Sequence, residues 1–202
     1  IVQEAKKENV KCFRGNRKNV LERYYLAAKE NSLDIIARIT GDCPCIDSEI
    51  VDLVIEEHVR KNSDYTSNTL VRTFPHGLDV EVLSFDALKK AHYAATQDLE
   101  REHVTTYIYN TRPDLFKIIL VEAPAELNSP DIRITLDTDE DYALLCAVLD
   151  YLYPINEFFG LKDIIDLFNK KPWLKLINKK VVQKKIHTSL EEEIIEVRRI
   201  EA

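Results

Sequence analysis

The sequence predicts an α/β protein in which a largely parallel sheet lies under helices. Apolar runs of strand length, such as DIIARIT and FKIILVEA, alternate with longer segments whose apolar residues recur at helical spacing. Turn and loop segments such as GDCPCID and LVRTFPHG separate them. A chain of 202 residues with 45% hydrophobic and 31% charged side chains can bury a real core and is expected to form one domain, with a possible appendage.

In chain order, NVKCF reads as a short strand, followed by a helix in NVLERYYLAAKEN favoured by Val20, Tyr24, Leu26 and Ala27. DIIARIT follows as a strand, and Ile35, Ile36 and Ile39 suggest burial on both faces. After the turn GDCPCID, Asp47 or Ser48 caps a helix with an apolar stripe of Ile50, Val51, Val54, Ile55 and Val59. DYTSNT and LDVEVLS are strands, separated by the loop LVRTFPHG. Ser84 and Asp86 open a helix through FDALKKAHYAATQ, and REHVTTYIYN reads as another, stopped near Pro113. FKIILVEA and DIRITL are strands. DTDEDYALLCAVLDYLY is a helix with Tyr142, Leu145, Cys146, Leu149 and Leu152 on one side.

From Leu161 the character changes. Eight lysines face two aspartates up to Lys185, and LEEEIIEVRRIEA then turns acidic. This predicts a main domain over 1–160 and a helical appendage over 161–202, most simply a solvated helix face.

Several function classes are excluded or disfavoured. A net charge of −7 argues against a nucleic-acid partner, whose binding rests on excess Lys and Arg. No apolar run approaches the roughly 18 residues of a membrane span, so membrane insertion is not expected. No signal peptide opens the chain, which predicts a cytoplasmic protein. The only close thiol pair is Cys43-Pro-Cys45, not the paired knuckles of a structural zinc site. No G-x-S-x-G, H-E-x-x-H, EF-hand or G-x-x-x-x-G-K-[ST] pattern occurs.

Open parallel sheets place their sites beyond the carboxyl ends of strands. Asp42 follows DIIARIT across Gly41, and Asp137 follows DIRITL directly. If their strands lie close, the two form a paired-carboxylate site for Mg²⁺, a hard cation that takes oxygen ligands. Both also fit as helix caps, the reading composition favours for Asp137. Asp42 is harder to explain as a cap because Asp47 and Ser48 already serve that role. Gly41 implies a turn where the backbone approaches something closely. In PHGLDVEV, Asp79 and Glu81 alternate with apolar residues and point to one face, either into solvent or toward a hydroxyl-rich ligand. REHVT adds Glu102 and His103, and for a lone histidine on a helix a structural role is the commoner one.

Taken together, VKCFRGNRKNVLERYYLAA, ARITGDCPCID, FPHGLDVEVLSFDALKKA, REHVTTYIYN and ITLDTDEDY resemble, in order and spacing, the cytidylyltransferase family of spore coat polysaccharide biosynthesis protein F. That group is similar to the acylneuraminate and 3-deoxy-manno-octulosonate cytidylyltransferases. The resemblance covers about residues 8–170. It implies a Rossmann-like nucleotidyltransferase, a three-layer sandwich with a mostly parallel central sheet. It also implies transfer of CMP from CTP to a sugar with release of pyrophosphate, in surface polysaccharide biosynthesis. Carried over, Asp42 and Asp137 become the catalytic, Mg²⁺-holding pair, and Arg14, Gly15 and Gly41 lie near the nucleotide. His76, Asp79, Glu81, Glu102 and His103 fall at the sugar pocket, and the cysteines become small fillers beside the site. Relatives suggest a homodimer.

One feature departs from the family. A Q-A-R-x-G-S-x-R-L-P-G-K loop is expected near the start, yet the first glycine is Gly15, and the chain opens on Ile1 with no methionine. The expectation is that an N-terminal strand, loop and helix are missing from this sequence. Without them in the molecule, no CTP turnover is expected. Two alternatives stay open: transfer from another nucleoside triphosphate, and a non-catalytic nucleotide-sugar-binding scaffold.

Overall fold

The computed structural model describes residues 1–181. The acidic stretch LEEEIIEVRRIEA, and with it the second half of the expected appendage, lies outside the described residues.

The chain opens with helix α1 (Val2–Lys7). Residues 9–13, expected as a strand, are not part of the sheet. Helix α2 (Val20–Glu30) starts where the side chain of Asn19 accepts the Glu22 amide. It turns Leu21, Tyr25 and Ala28 inward, a face rotated from the one expected. Strand β1 (Ile35–Arg38) leads into helix α3 (Ser48–Lys61), whose N-cap is Asp47. Here Ile50, Val54 and His58 are buried while Val59 is exposed, so the inner stripe includes a histidine the apolar pattern skipped. Strands β2 (Tyr65–Ser67) and β3 (Glu81–Ser84) follow, and Ser84 caps helix α4 (Phe85–Ala94).

REHVTTYIYN does not form one helix. Helix α5 (Asp98–Glu102) ends at His103, and a wide helical turn over Tyr107–Thr111 follows a break at Val104. Strand β4 (Ile118–Leu120) precedes DIRITL, which is extended but joins its neighbour only through one bridge, His76 to Arg133. Helices α6 (Asp139–Leu152) and α7 (Leu161–Lys170) complete the described elements together with short helical turns.

The sheet order is β1-β3-β2-β4. Strand β3 is antiparallel to both β1 and β2, and β2 is parallel to β4. The mostly parallel sheet is therefore corrected to a mixed one. Strands β1, β2 and β4 share a direction and β3 alone is reversed, but its place between β1 and β2 makes two of three pairings antiparallel. The loop from β2 back to β3 contains no crossover helix, and a chain that returns directly must pair antiparallel. Because β1 is an edge strand, Ile35 and Ile39 are exposed rather than doubly buried, and only Ile36 faces the core.

Adjacent residues of β3 face different cores. Val82 packs with Ile50 and Val54 of α3, Leu144 and Val148 of α6 and Ile164 and Phe168 of α7. Leu83 packs with Leu21 and Tyr25 of α2 and Leu88 and Ala91 of α4. Helices thus cover both faces of the sheet, giving three layers. Helix α7 belongs to the body: its residues Leu161, Ile164, Leu167 and Phe168 are buried in the first core. The segment from Leu161 to Phe168 is accordingly core, not appendage.

One carboxylate joins α3 to α7. Asp47 Oδ1 accepts the Glu49 amide at 2.8 Å in its capping role, while Oδ2 accepts the Leu161 amide at 2.7 Å. A Cβ on Gly160 would lie 2.7 Å from that Oδ2.

Candidate functional site

The reversal of β3 assembles the site. In the register Arg38 sits opposite Glu81, so the carboxyl end of β1 meets the amino end of β3. The turn holding Asp42 therefore lies beside the segment holding Asp79. Cys43 stands between them, with its thiol under the influence of both Asp42 and Asp79. Burial, followed by the charges of Asp42 and Asp79, raises the Cys43 pKa, and burial pushes Cys45 up to about 11. Both are neutral, buried thiols, as expected of fillers, and all four cysteines are free.

The segment before α6 closes the group from the other side. Thr135 Oγ1 and the Leu136 amide both donate to the Asp42 carbonyl, at 3.0 and 2.9 Å. Asp42 and Asp137 thus stand on backbone segments hydrogen-bonded to each other. Asp42 Oδ1 accepts from Thr40 Oγ1 and from the Cys43 thiol. Asp137 Oδ2 accepts from Arg133 at 2.7 Å. The other oxygen of each carboxylate has no hydrogen bond among the described residues.

Asp137 is not the helix cap. Thr138 caps α6, and Asp141 closes the capping box three residues on. Asp141 is fully buried and accepts a fork from Arg133 at 2.8 and 2.9 Å, the Asp137 and Thr138 amides at 3.2 Å and Asn178 at 2.8 Å. Burial works to raise its pKa, but these donors together outweigh it and bring it down to about 2.

His76 enters through its backbone, which takes the Ile134 amide at 2.8 Å and gives its own to Ile132 at 3.0 Å. Gly77 makes this possible: its φ is +103°, and a Cβ there would lie 2.6 Å from the Ile134 carbonyl. The half-buried imidazole has a lowered pKa, first from burial and then from the Arg72 charge, opposed by Asp79. Asp79 is ion-paired with Arg72 at 2.5 and 3.3 Å.

Glu81 is buried and fully engaged. It accepts from Arg38, from Tyr65 Oη at 2.5 Å and from Thr105 Oγ1 at 2.6 Å. Thr105 follows a tight turn in which Val104 has a φ of +62° and the Thr105 amide bonds the His103 carbonyl at 2.6 Å. A β-branched residue rarely adopts that φ. Glu81 anchors this turn, and the turn sets the place of His103. Asp79 and Glu81 therefore both have protein partners, so the solvent-facing pair considered from the sequence does not form.

The remaining expected residues stand apart. Glu102 is exposed at the end of α5. Arg14 and Gly15 lie exposed before α2, and Arg14 has no ion pair among the described residues. Gly41 has no positive φ, and a Cβ there would meet no atom of the described residues within 4 Å. The close backbone approach expected at Gly41 is not found among the described residues. A concavity of about 1150 Å³ opens elsewhere, between α3, α6 and α7, and none of these residues lines it.

Sequence reasoning missed Arg72, Arg133, Asp141 and Asn178. Arg133 had a signal: in DIRITL, Ile132 and Ile134 are buried, and Arg133 stands in alternation with Thr135 and Asp137. Thr138 and Asp141 carried the spacing of a capping box. Asn178 had none, because its partners are 37 and 45 positions away.

Among the described residues no helix is long and apolar enough to cross a membrane, and no group of three or more His, Cys, Asp or Glu is placed to hold a metal. A cytidylyltransferase family profile matches residues 1–191. An uncharacterised protein of Methanocaldococcus jannaschii is 41% identical over 184 residues, covering 91% of this chain and 73% of the relative. The spore coat polysaccharide biosynthesis protein SpsF of Bacillus subtilis is 32% identical over 167 residues, covering 82% and 68%. The solved structure of a cytidylyltransferase from Leptospira borgpetersenii superposes with a TM-score of 0.80 at 33% identity, covering 92% of this chain and 75% of that one. The fold, the five motifs and these matches agree: the chain belongs to the cytidylyltransferase family.

Proposed function

We propose that this protein transfers CMP from CTP to a sugar hydroxyl and releases pyrophosphate, in the making of a surface polysaccharide. The observation that carries this reading is the pair of hydrogen bonds from Thr135 and Leu136 to the Asp42 carbonyl, which aligns the segments bearing Asp42 and Asp137. Their donor set suits Mg²⁺: two carboxylates, each with an oxygen unengaged among the described residues, and coordination completed by water and phosphate. When bound, Mg²⁺ would neutralise charge on the phosphate oxygens.

In the transfer, the sugar oxygen bonds to the α-phosphorus while the bond to the bridging oxygen breaks. Pyrophosphate leaves with that electron pair, and the hydroxyl proton is released. The chain's own residues supply position and charge. Asp42 and Asp137 hold the metal. Open space beside Gly41 leaves room for the phosphates, with Arg14 and Gly15 on the nucleotide side. Asp79, His76 and His103 face the sugar, Glu81 acts from below by holding the His103 turn, and Glu102 approaches the pocket only as the residue next to His103. A homodimer, and residence in the cytoplasm, belong to the same proposal.

The test is thermal unfolding with CTP, UTP, GTP or ATP, each with Mg²⁺, because a ligand that binds only the folded state raises its stability. CTP with Mg²⁺ should give the largest rise, and Asp42→Asn and Asp137→Asn should abolish the magnesium-dependent part. Equal shifts with all four nucleotides would remove the cytosine assignment. An unchanged metal response in both variants would remove the carboxylate pair. Pyrophosphate release with a sugar panel then identifies the acceptor, in the protein that carries the triphosphate loop expected ahead of Ile1.

A further inference from the structure

We propose that Asn178, beyond the last described helix, is a positioning residue for the Asp137 carboxylate, so that the C-terminal part of the chain completes the metal-holding side of the site. The inference rests on the metal-holding reading of Asp42 and Asp137.

The connection runs through two side chains. Asn178 is buried, and its amide donates to Asp141 Oδ1 at 2.8 Å and to the Arg133 carbonyl at 3.0 Å. Asp141 in turn accepts the Arg133 guanidinium on both oxygens, at 2.9 and 2.8 Å. The same guanidinium nitrogen that reaches Asp141 Oδ2 also reaches Asp137 Oδ2, at 2.7 Å. A guanidinium is planar and forked, so fixing it on one carboxylate fixes the direction of its remaining donors. Asp141 is fully buried, and a buried network is sensitive to the loss of any one member. Asn178 thus holds Asp141 from the side opposite α6 and ties down the backbone of Arg133 itself. Asp141 also accepts the Asp137 amide at 3.2 Å, so both the backbone and the carboxylate of Asp137 depend on this anchor.

A tie that merely fastened the C-terminal segment would affect stability alone. A positioning role also alters metal affinity, and groups that orient a metal ligand typically change affinity or activity about 10–100-fold when replaced. Mn²⁺ serves as the probe, titrated into the chain with CTP and read by water-proton relaxation, with thermal unfolding measured in parallel. Asn178→Leu, which keeps size without donors, is expected to weaken Mn²⁺ binding about tenfold or more while the protein stays folded at the measuring temperature. Asn178→Ser, whose hydroxyl can donate, should recover part of the loss. If Asn178→Leu does not fold, Asn178→Asp takes its place, being of the same size but unable to donate. Mn²⁺ binding unchanged in the Asn178 variants but lost in Asp137→Asn would overturn the positioning role and leave the metal reading intact. Binding unchanged in both Asp42→Asn and Asp137→Asn would instead overturn the metal reading itself.

Discussion

The hydroxyl of Thr135 donates to the carbonyl of Asp42 at 3.0 Å, closing a separation of 93 positions in the chain. The bond uses the backbone of Asp42 and leaves its carboxylate out of the tie. Structure and chemistry at this residue are therefore separable. Asp42→Asn is expected to change unfolding free energy by about 1 kcal/mol or less while losing the magnesium-dependent rise in melting temperature with CTP. Chemical denaturation and thermal unfolding with nucleotide measure the two effects independently.

The two glycines near the site should respond oppositely to an added methyl. Gly77→Ala forces a Cβ to 2.6 Å from the Ile134 carbonyl at a φ of +103° and is expected to cost about 3 kcal/mol. Gly41→Ala meets no atom of the described residues within 4 Å and should stay within about 0.5 kcal/mol of the parent. Urea unfolding of both variants settles the contrast, and a Gly77→Ala as stable as the parent would remove the bridge between His76 and Arg133 from this account.

Asp141 makes stability depend on acid. Its pKa is depressed to about 2, below the ordinary carboxylate value, so its contribution is fully present above about pH 4 and is lost as pH falls through 2. The stability gap between the parent and Asp141→Asn should be widest at neutral pH and narrow by about 2 kcal/mol between pH 4 and pH 2. A gap that does not change over that range would refute the assignment. Unfolding curves collected at stepwise lower pH provide the measurement.

Arg38 and Glu81 form a mostly buried ion pair, with Tyr24 packed over the guanidinium at 6.0 Å. Arg38→Met strands the Glu81 charge and is expected to cost about 3 kcal/mol, the range for breaking such a pair. Adding Glu81→Leu should recover part of that loss, because two apolar side chains leave no unpaired charge. A double variant less stable than Arg38→Met would show that Glu81 holds the Thr105 turn more strongly than it suffers from isolation.

Thiol reactivity should sort by exposure. Cys12 is exposed, whereas Cys43 and Cys45 are buried with raised pKa values. Since the thiolate is the reactive form, a disulfide reagent at pH 8 should modify Cys12 quickly and reach Cys43 and Cys45 only when the chain opens. Mass spectrometry of a timed reaction distinguishes the sites.

What the sequence conveyed followed local rules. Asp47 and Ser84 announced their helices because a cap works within one turn, and the α/β class followed from the strand and helix patterns even though residues 9–13 form no strand and REHVTTYIYN no single helix. The direction of β3 was not legible, since LDVEVLS alternates in the same way whichever way it runs. The inner faces of α2 and α6 were also misjudged. The α6 sequence DEDYALLCAVLDYL is apolar nearly all round, so sheet and neighbouring helices decide that Leu144 turns inward and Tyr142 outward. Asp42 could be singled out because Asp47 already explained the helix start. Asp141 could not, because its burial depends on Arg133 and Asn178, and distant partners leave no mark on local spacing.

The double use of Asp47 bears on where this protein can be cut. Deleting everything past residue 160 would strip one oxygen of its amide donor and open the apolar underside of α3 to water. A shortened version made for crystallisation or fusion should therefore keep residues 161–181, and a protease that nicks the 153–160 loop should leave two pieces still clasped together.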